Sequence, residues 1–568
     1  MKNFIKRIKD KLHTDLPFLS ILFIFIVLSS YSVFKSGFFR TIDDITPVRI
    51  AYLTRELMHI DWVHQFPVRL SGELAHGFGY PLYLFYAPLT YYAGALMMLI
   101  LKVNSIIATK AVYVFPLIVG PVICYWAARQ VLKPLPALVV ACLYTMFPFR
   151  GYDSYIRGGV GEAWAMAFIP GAFGGIFLSQ KNKNSTDQSN ELGFLLFSLF
   201  LALAIISHNI STILFIPLFL LYGIIFQFSR KQYWFYFFLA LGLSAFFWLP
   251  SAFYLTIVKV NYSNQNTGQL LNFIEPISNL FRITVPYRGD DRYSVLFILY
   301  YLVIFTALTI QKGALSIKQK KRFIFFAVIS VIAFIVLFKP AQILWEFTLP
   351  VTRLLQFPWR TLIVLSFILP LSLGFVVQKI TDRKIQIIVA FVLIVTSLYH
   401  LSAFKPKEYS FFFEYKAEDT GPCATSWGDE YLPIWVKDCI SNPSSTVAYF
   451  DNQKNSIVSS LGSSTNITVV TDTKQKATLF INKYYFPGWK ATIDKSPVNL
   501  SHPKTVHGIF SLTVPKGKHT AHIFFSKTPV MLLSDFVSLF SLVFFLFRLT
   551  SISGKKPTSG VEWNTTKA

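Results

Sequence analysis

Asp43 and Asp44 stand side by side in residues 35–79, a stretch that also holds Arg49, Arg55, Glu56, Asp61, His64, Arg69, Glu73 and His76. Residues 150–163 (RGYDSYIRGGVGEA) add Asp153, Arg157 and Glu162. Residues 258–292 end in VPYRGDDRY, with Arg288, Asp290, Asp291 and Arg292, and a further polar stretch ending in LLQFPWR holds Arg353 and Arg360. A carboxylate can take the proton of an attacking hydroxyl. Arginine, a metal ion or both can neutralise a departing phosphate. Carboxylates and arginines brought together from separate loops are therefore the parts that transfer from a lipid-linked phosphosugar needs.

Each group also has a plainer explanation. Asp43-Asp44 just before Pro47 suits the start of a helix, where acids are favoured and proline fits the first turn. Asp290-Asp291 in a glycine-containing turn is ordinary turn chemistry. Asp153 and Arg157 are spaced as an i, i+4 ion pair, and His208, between two apolar runs, reads as a polar residue at a helix end.

The elements that must position these residues are apolar. The chain is 54% hydrophobic, 17% aromatic and 14% charged, with a formal net charge of +25, against a charged share of about 25% in soluble domains. That composition excludes an ordinary soluble enzyme, and 58 Phe exclude a disordered basic protein. Stretches able to span a bilayer recur at 16–34, 111–128, 134–149, 164–179, 192–207, 209–228, 234–257, 294–310, 323–338, 361–377, 386–402 and 529–547. The fold class expected is a polytopic α-helical membrane protein with about 12–13 hydrophobic segments. The basic N-terminus, the Lys312–Arg322 run and the basic tail read as cytoplasmic, which places both termini inside and the four acid–arginine stretches outside. Most of the positive excess is thus an orientation signal, and a nucleic-acid partner is dropped. Segment 80–101 fits no alternation of spans and is expected to be re-entrant or interfacial, unless a neighbouring segment fails to span.

Three regions follow: a transmembrane domain over 1–402, a β-rich extracytoplasmic domain over 403–528, and a last transmembrane helix with a cytoplasmic tail over 529–568. In the middle region TVAYF, NITVVTD, ATLFIN, WKATID, GIFSLTV and HTAHIFF alternate as strands do, which predicts a small β-sandwich. Cys423 and Cys439 lie in this region, where an oxidising exterior suits a disulfide, with two unpaired thiols as the alternative; Cys124 and Cys142 fall in apolar spans as core residues. Trp489 suits either an aromatic platform for glycan or the sandwich core. No GxxxxGK[ST] or HExxH occurs, so ATP-driven transport and zinc proteolysis lose their simplest support.

The stretches FPVRLSGELAHGFGYPLYLFYAPLTYY (66–92), YDSYIRGGVGEAWAMAFIP (152–170), SHNIS (207–211), LLQFPWR (354–360) and DEYLPIWV (429–436) resemble a bacterial and archaeal family of large membrane proteins. The family is labelled 6-pyruvoyl-tetrahydropterin synthase-related. Residues 484–525 are similar to the end of YfhO-type membrane proteins. The resemblance implies a GT-C-like architecture, that of glycosyltransferases using polyprenyl-phosphate sugars, at the plasma membrane. It implies Asp43 or Asp44 as catalytic base and Asp153, with Glu162, as a second acidic group. Arg157, Arg288, Arg360, Arg69 and His76 would serve substrate phosphate. A divalent ion is an optional cofactor, with Asp44 and Asp153 as ligands. The sequence departs from the superfamily in lacking a histidine shortly after the first aspartate; Pro47, Val48 and Arg49 follow instead. The expected partners are a polyprenyl-phosphate sugar and an envelope glycan or lipid acceptor. The competing functions are a lipid or polysaccharide transporter and a non-catalytic envelope-assembly protein.

Overall fold

The computed structural model describes the chain apart from residues 1, 44, 181–186, 228–229, 261–270, 272–273, 279–293, 310–312, 353–354, 411–422, 424–428, 441–445, 451–455, 502–505 and 555–568. Asp44 and Arg288, with Asp290, Asp291, Arg292 and Arg353, therefore lie outside the described residues.

Among the described residues, nine helices are long and apolar enough to cross a membrane: Thr14–Phe34, Ser105–Ala128, Pro134–Arg157, Val160–Leu178, Asn190–Ser207, Asn209–Gln227, Pro358–Lys379, Arg383–Phe404 and Pro529–Ile552. A tenth candidate is the pair Lys231–Leu243 and Ala245–Ile257, bent by 70°. The expected segment 294–310 is the shorter apolar helix Leu296–Thr309. Segment 323–338 overlaps Ile317–Ile335, which ends three residues earlier and whose first turns carry Lys318, Lys320, Lys321 and Arg322. Helix starts follow local chemistry. Asn104 accepts from Ile107 N at 2.9 Å and Asp382 accepts from Lys384 and Ile385 N, while Pro134 sits in a first turn where its missing N–H costs nothing.

Segment 80–101 breaks into Leu82–Phe85 and Leu89–Leu101. The latter's 13 residues reach about 20 Å, well short of the ~30 Å hydrocarbon core. Helix Leu362–Lys379 is buried over almost its whole length and packs on Pro134–Thr145 and Ile317–Ile335, forming the middle of the bundle.

Among the described residues, 448–525 form two antiparallel sheets. With β3 (Ala448–Phe450), β4 (Ser456–Ser463), β5 (Asn466–Thr473), β6 (Ala477–Tyr484), β7 (Trp489–Ile493), β8 (Ser496–Val498), β9 (Ile509–Val514) and β10 (Gly517–Phe525), the orders are β4-β5-β10-β7-β8 and β3-β6-β9. The inward residues Ile467, Val469, Leu479, Ile481, Phe510, Leu512, Ala521 and Ile523 share one core with Leu84, Phe85, Tyr254 and Met531, so the sheets are seated on the helices. Trp489 belongs to that core, against Phe510 and Phe525 at 5.4 and 5.7 Å between ring centres. Cys124 and Cys142 are buried free thiols. A short pair, β1 (Phe38–Phe39) with β2 (Tyr409–Ser410), ties the first polar stretch to the start of this region.

Candidate active site

Residues 150–163 do not form the loop their polarity suggests. Pro148 starts a turn of helix and Asp153–Arg157 continue it as a single π-helical turn, a local widening often found at functional sites. Gly158, at φ 85°, ends it, and the N–H groups of Gly158 and Gly159 both donate to Asp153 O at 2.9 Å. Val160–Leu178 then begins with Glu162 in its first turn, where acids are favoured. The corner has no room for a side chain: a Cβ on Gly159 would lie 2.3 Å from Asp153 Oδ1.

This corner brings the charges together. Arg157 Nη1 donates to Asp153 Oδ1 at 3.0 Å and to Glu162 Oε2. Both carboxylates are fully buried, and the Arg157 guanidinium lies over the Trp359 ring at 5.1 Å. Arg360 Nε is 3.8 Å from Glu162 Oε2; its Nη1 donates to Leu355 O and to Gln356 Oε1 at 2.7 Å. His208 caps the helix Asn209–Gln227, its Nδ1 accepting from Ser211 N at 3.1 Å, which leaves Nε2 3.9 Å from Glu162 Oε2. The helix-end expectation for His208 thus holds, and the same residue faces the acidic group. Asp153 Oδ2, Glu162 Oε1 and Arg360 Nε are buried without a hydrogen-bond partner among the described residues, an expensive state that a polar ligand would relieve.

Asp43 joins from the first polar stretch. Ile42 N and Asp43 N donate to Ile156 O and Arg157 O at 2.9 and 2.8 Å, and the Asp43 charge acts on Asp153, Arg157 and Glu430. Glu430, which local pattern did not single out, is buried on the far side. Its Oε1 accepts from Gln356 Nε2 at 3.1 Å, and Tyr86 Oη stands 3.5 Å from its Oε2. Burial pushes the Glu430 carboxyl up to about 7; Arg360 and Arg49 oppose the rise and Asp43 adds to it. Arg49 stacks on Tyr86 at 4.3 Å and donates to Tyr91 Oη at 3.0 Å.

Other expected residues lie apart. Arg69 is ion-paired with Asp535 of the last helix, which Lys527 also contacts at 2.9 Å, and it donates to Phe246 O just past the bend between Lys231–Leu243 and Ala245–Ile257. His76 occupies a left-handed backbone position, φ 55°, and among the described residues no hydrogen bond or ion pair joins it to Asp153 or Glu162. Glu56 belongs to the seam under the sheets, accepting from Ser71 Oγ, Gly72 N and Ser464 Oγ, and burial raises its carboxyl above the ordinary range. Cys423 and Cys439 have Cα atoms 5.1 Å apart, within disulfide reach.

Arg157 holds one oxygen of each carboxylate, and Arg360 stands beside Glu162. Asp153 Oδ2 and Glu162 Oε1 are the oxygens left to a divalent ion, which would take its remaining ligands from water or substrate phosphate. Among the described residues the one trio of His, Cys or acidic ligands in mutual reach is Cys423, Asp429 and Cys439. Asp44, the other ligand expected, is outside the described residues.

The apolar helices and this buried group define an integral membrane protein with an acid–arginine site. The chain belongs to the 6-pyruvoyl-tetrahydropterin synthase related membrane protein family, whose model matches residues 83–405. That range includes Asp153, Arg157, Glu162, His208 and Arg360 and leaves out Asp43 and Glu430. No curated protein matches the sequence. Among solved structures, the mycobacterial arabinofuranosyltransferase AftD is similar over 70% of this chain and 28% of its own, at 14% identity and TM-score 0.43. ArnT from Cupriavidus metallidurans in the apo state is similar over 64% of this chain and 77% of its own, at 12% identity and TM-score 0.29. ArnT has also been solved bound to undecaprenyl phosphate, with TM-score 0.27 and 10% identity to this chain. This chain thus spans little more than a quarter of AftD's length.

Proposed function

We propose that the chain is a membrane glycosyltransferase of GT-C type that moves a sugar from a polyprenyl-phosphate donor to a cell-envelope acceptor on the outer face. The observation that carries this reading is the convergence of Asp43, Asp153, Glu162, Arg157 and Arg360, with buried oxygens and a guanidinium nitrogen left unpartnered. In the reaction the acceptor oxygen attacks the anomeric carbon, and the bond from that carbon to the phosphate oxygen breaks. Its electron pair leaves with the polyprenyl phosphate. Asp43 or Asp44 takes the hydroxyl proton as general base. Arg360 and His208, held beside Glu162, supply positive charge and an N–H donor for the departing phosphate. Asp153 and Glu162 hold Arg157, so their role is to fix the guanidinium that faces the donor.

Vesicles containing the protein, loaded with radiolabelled polyprenyl-phosphate sugars, test this reading. Label should appear covalently on an acceptor. Label that crosses the bilayer while remaining on its polyprenyl phosphate would instead establish transport.

A further inference from the structure

Gln356, Asp429 and Tyr431 all have left-handed backbone angles, φ 63°, 56° and 63°. Side-chain-bearing residues rarely adopt that region, and such strain persists where the surroundings enforce it, commonly at functional sites. Here all three surround one carboxylate: Asp429 and Tyr431 flank Glu430, and Gln356 is its hydrogen-bond partner. The segment is held firmly. Glu430 O accepts from Tyr80 Oη. Tyr431 N donates to Lys259 O at 2.7 Å, and the Tyr431 ring stacks on Phe85 at 4.9 Å.

The polar chain that results runs in one direction. Glu430 accepts from the Gln356 amide nitrogen, so the Gln356 carbonyl oxygen must face the other way, where it accepts from Arg360 Nη1. Arg360 in turn stands beside Glu162. The guanidinium, a donor only, takes the carbonyl end and Glu430 takes the amide nitrogen, so the Gln356 side chain is anchored at both ends; without Glu430 only the Arg360 end would hold it. We propose that Glu430 is a positioning residue, orienting Gln356 so that Arg360 is held beside Glu162 for the phosphate of the donor. This deepens the transferase reading and rests on it. It also means that the segment leading into the β-sheets completes a site built mainly from membrane helices, a contribution from outside the family-matched residues 83–405.

The test is binding of a short-chain polyprenyl monophosphate to the detergent-solubilised full chain by titration calorimetry, with the thermal transition of each variant recorded. The wild type should bind and Arg360→Gln should bind far more weakly. Glu430→Ala and Gln356→Ala should each weaken binding about tenfold, which is ~1.4 kcal/mol. The double variant should be no weaker than either single one, because the two residues act in series. If Glu430→Ala does not fold, Glu430→Met, which keeps volume and removes the acceptor, is paired with Gln356→Ala in the same comparison. Losses that multiply in the double variant, or wild-type binding by Glu430→Ala, would overturn the positioning role while leaving the transferase reading standing. A wild type that does not bind, with Arg360→Gln indistinguishable from it, would overturn the transferase reading and the positioning role with it.

Discussion

Arg157 Nη1 lies 3.0 Å from Asp153 Oδ1 within a single π-helical turn, and the same nitrogen reaches Glu162 across the Gly158-Gly159 corner. One cation thus bridges two buried carboxylates that belong to two different helices, with Arg360 beside Glu162 as the second positive charge. A lone buried carboxylate would be strongly unfavourable, so the three residues stand or fall together.

Replacing Arg157 with Gln should therefore reduce transfer by roughly 10²-fold or more, measured as initial rate in vesicles at matched membrane insertion. Arg157→Lys should not restore it, because an ammonium lacks the planar group that lies over Trp359 while its Nη1 reaches both carboxylates. A lysine variant as active as the wild type would contradict the bridging role.

Gly159→Ala should act through the same corner. The new methyl would sit 2.3 Å from Asp153 Oδ1, so the carboxylate or the backbone must shift, at a cost of about 1–3 kcal/mol. The expected result is a lower melting temperature in detergent together with lower transfer per inserted molecule. Wild-type values for both would show that the corner is looser than described.

Glu430 should make stability depend on pH. Its carboxyl is pushed up to about 7, so between about pH 4.5 and 7 the folded chain holds a proton that an unfolded chain has released. The stabilisation is complete below the unfolded value and is lost as pH rises through 7, up to about 3 kcal/mol in size. Arg49, Arg360, Asp43, Tyr80, Tyr86 and Tyr431 are the charged and titratable groups around it. Melting curves from pH 4.5 to 8 should be flatter for Glu430→Gln than for the wild type. Equal slopes would mean that Glu430 does not titrate in this window.

Cys423 and Cys439 should form a disulfide closing a segment of 16 residues, a loop whose closure is worth about 3 kcal/mol. Alkylation before and after reduction, read by mass spectrometry, should differ by two labels. Labelling of both thiols without reduction would exclude the bond and leave Cys423, Asp429 and Cys439 as a ligand set.

The parts legible in the sequence were those set by local order. Asp153, Arg157 and Glu162 lie within ten residues, so once helices flank a Gly-Gly pair they must meet. The strands at 466–473, 477–484 and 517–525 followed from alternation, because one face of each is buried. β4 escaped notice since its serine-rich residues are mostly exposed at a sheet edge. β8 is three residues long and hangs on a tight turn at Asp494-Lys495, both with positive φ. The charge of Arg69 suggested phosphate, but its destination was fixed by Asp535, which lies in the last membrane helix and could not be paired with it by spacing. Glu430 stood inside the DEYLPIWV motif, yet nothing local marked it. Its partners Gln356, Tyr86 and Arg360 come from distant segments, and only burial gives the carboxyl its unusual affinity for a proton.

The central claim is that the acids of the first polar stretch and the Arg157–Arg360 group together carry sugar transfer. The most direct measurement compares radiolabelled sugar transfer from polyprenyl phosphate by the wild type, Asp43→Asn, Asp44→Asn and the double variant, each verified for membrane insertion. The prediction is that one of the single variants and the double variant lose transfer by about 10²–10⁴-fold, the usual contribution of a general base, while all remain inserted. Full transfer by the double variant would contradict the account.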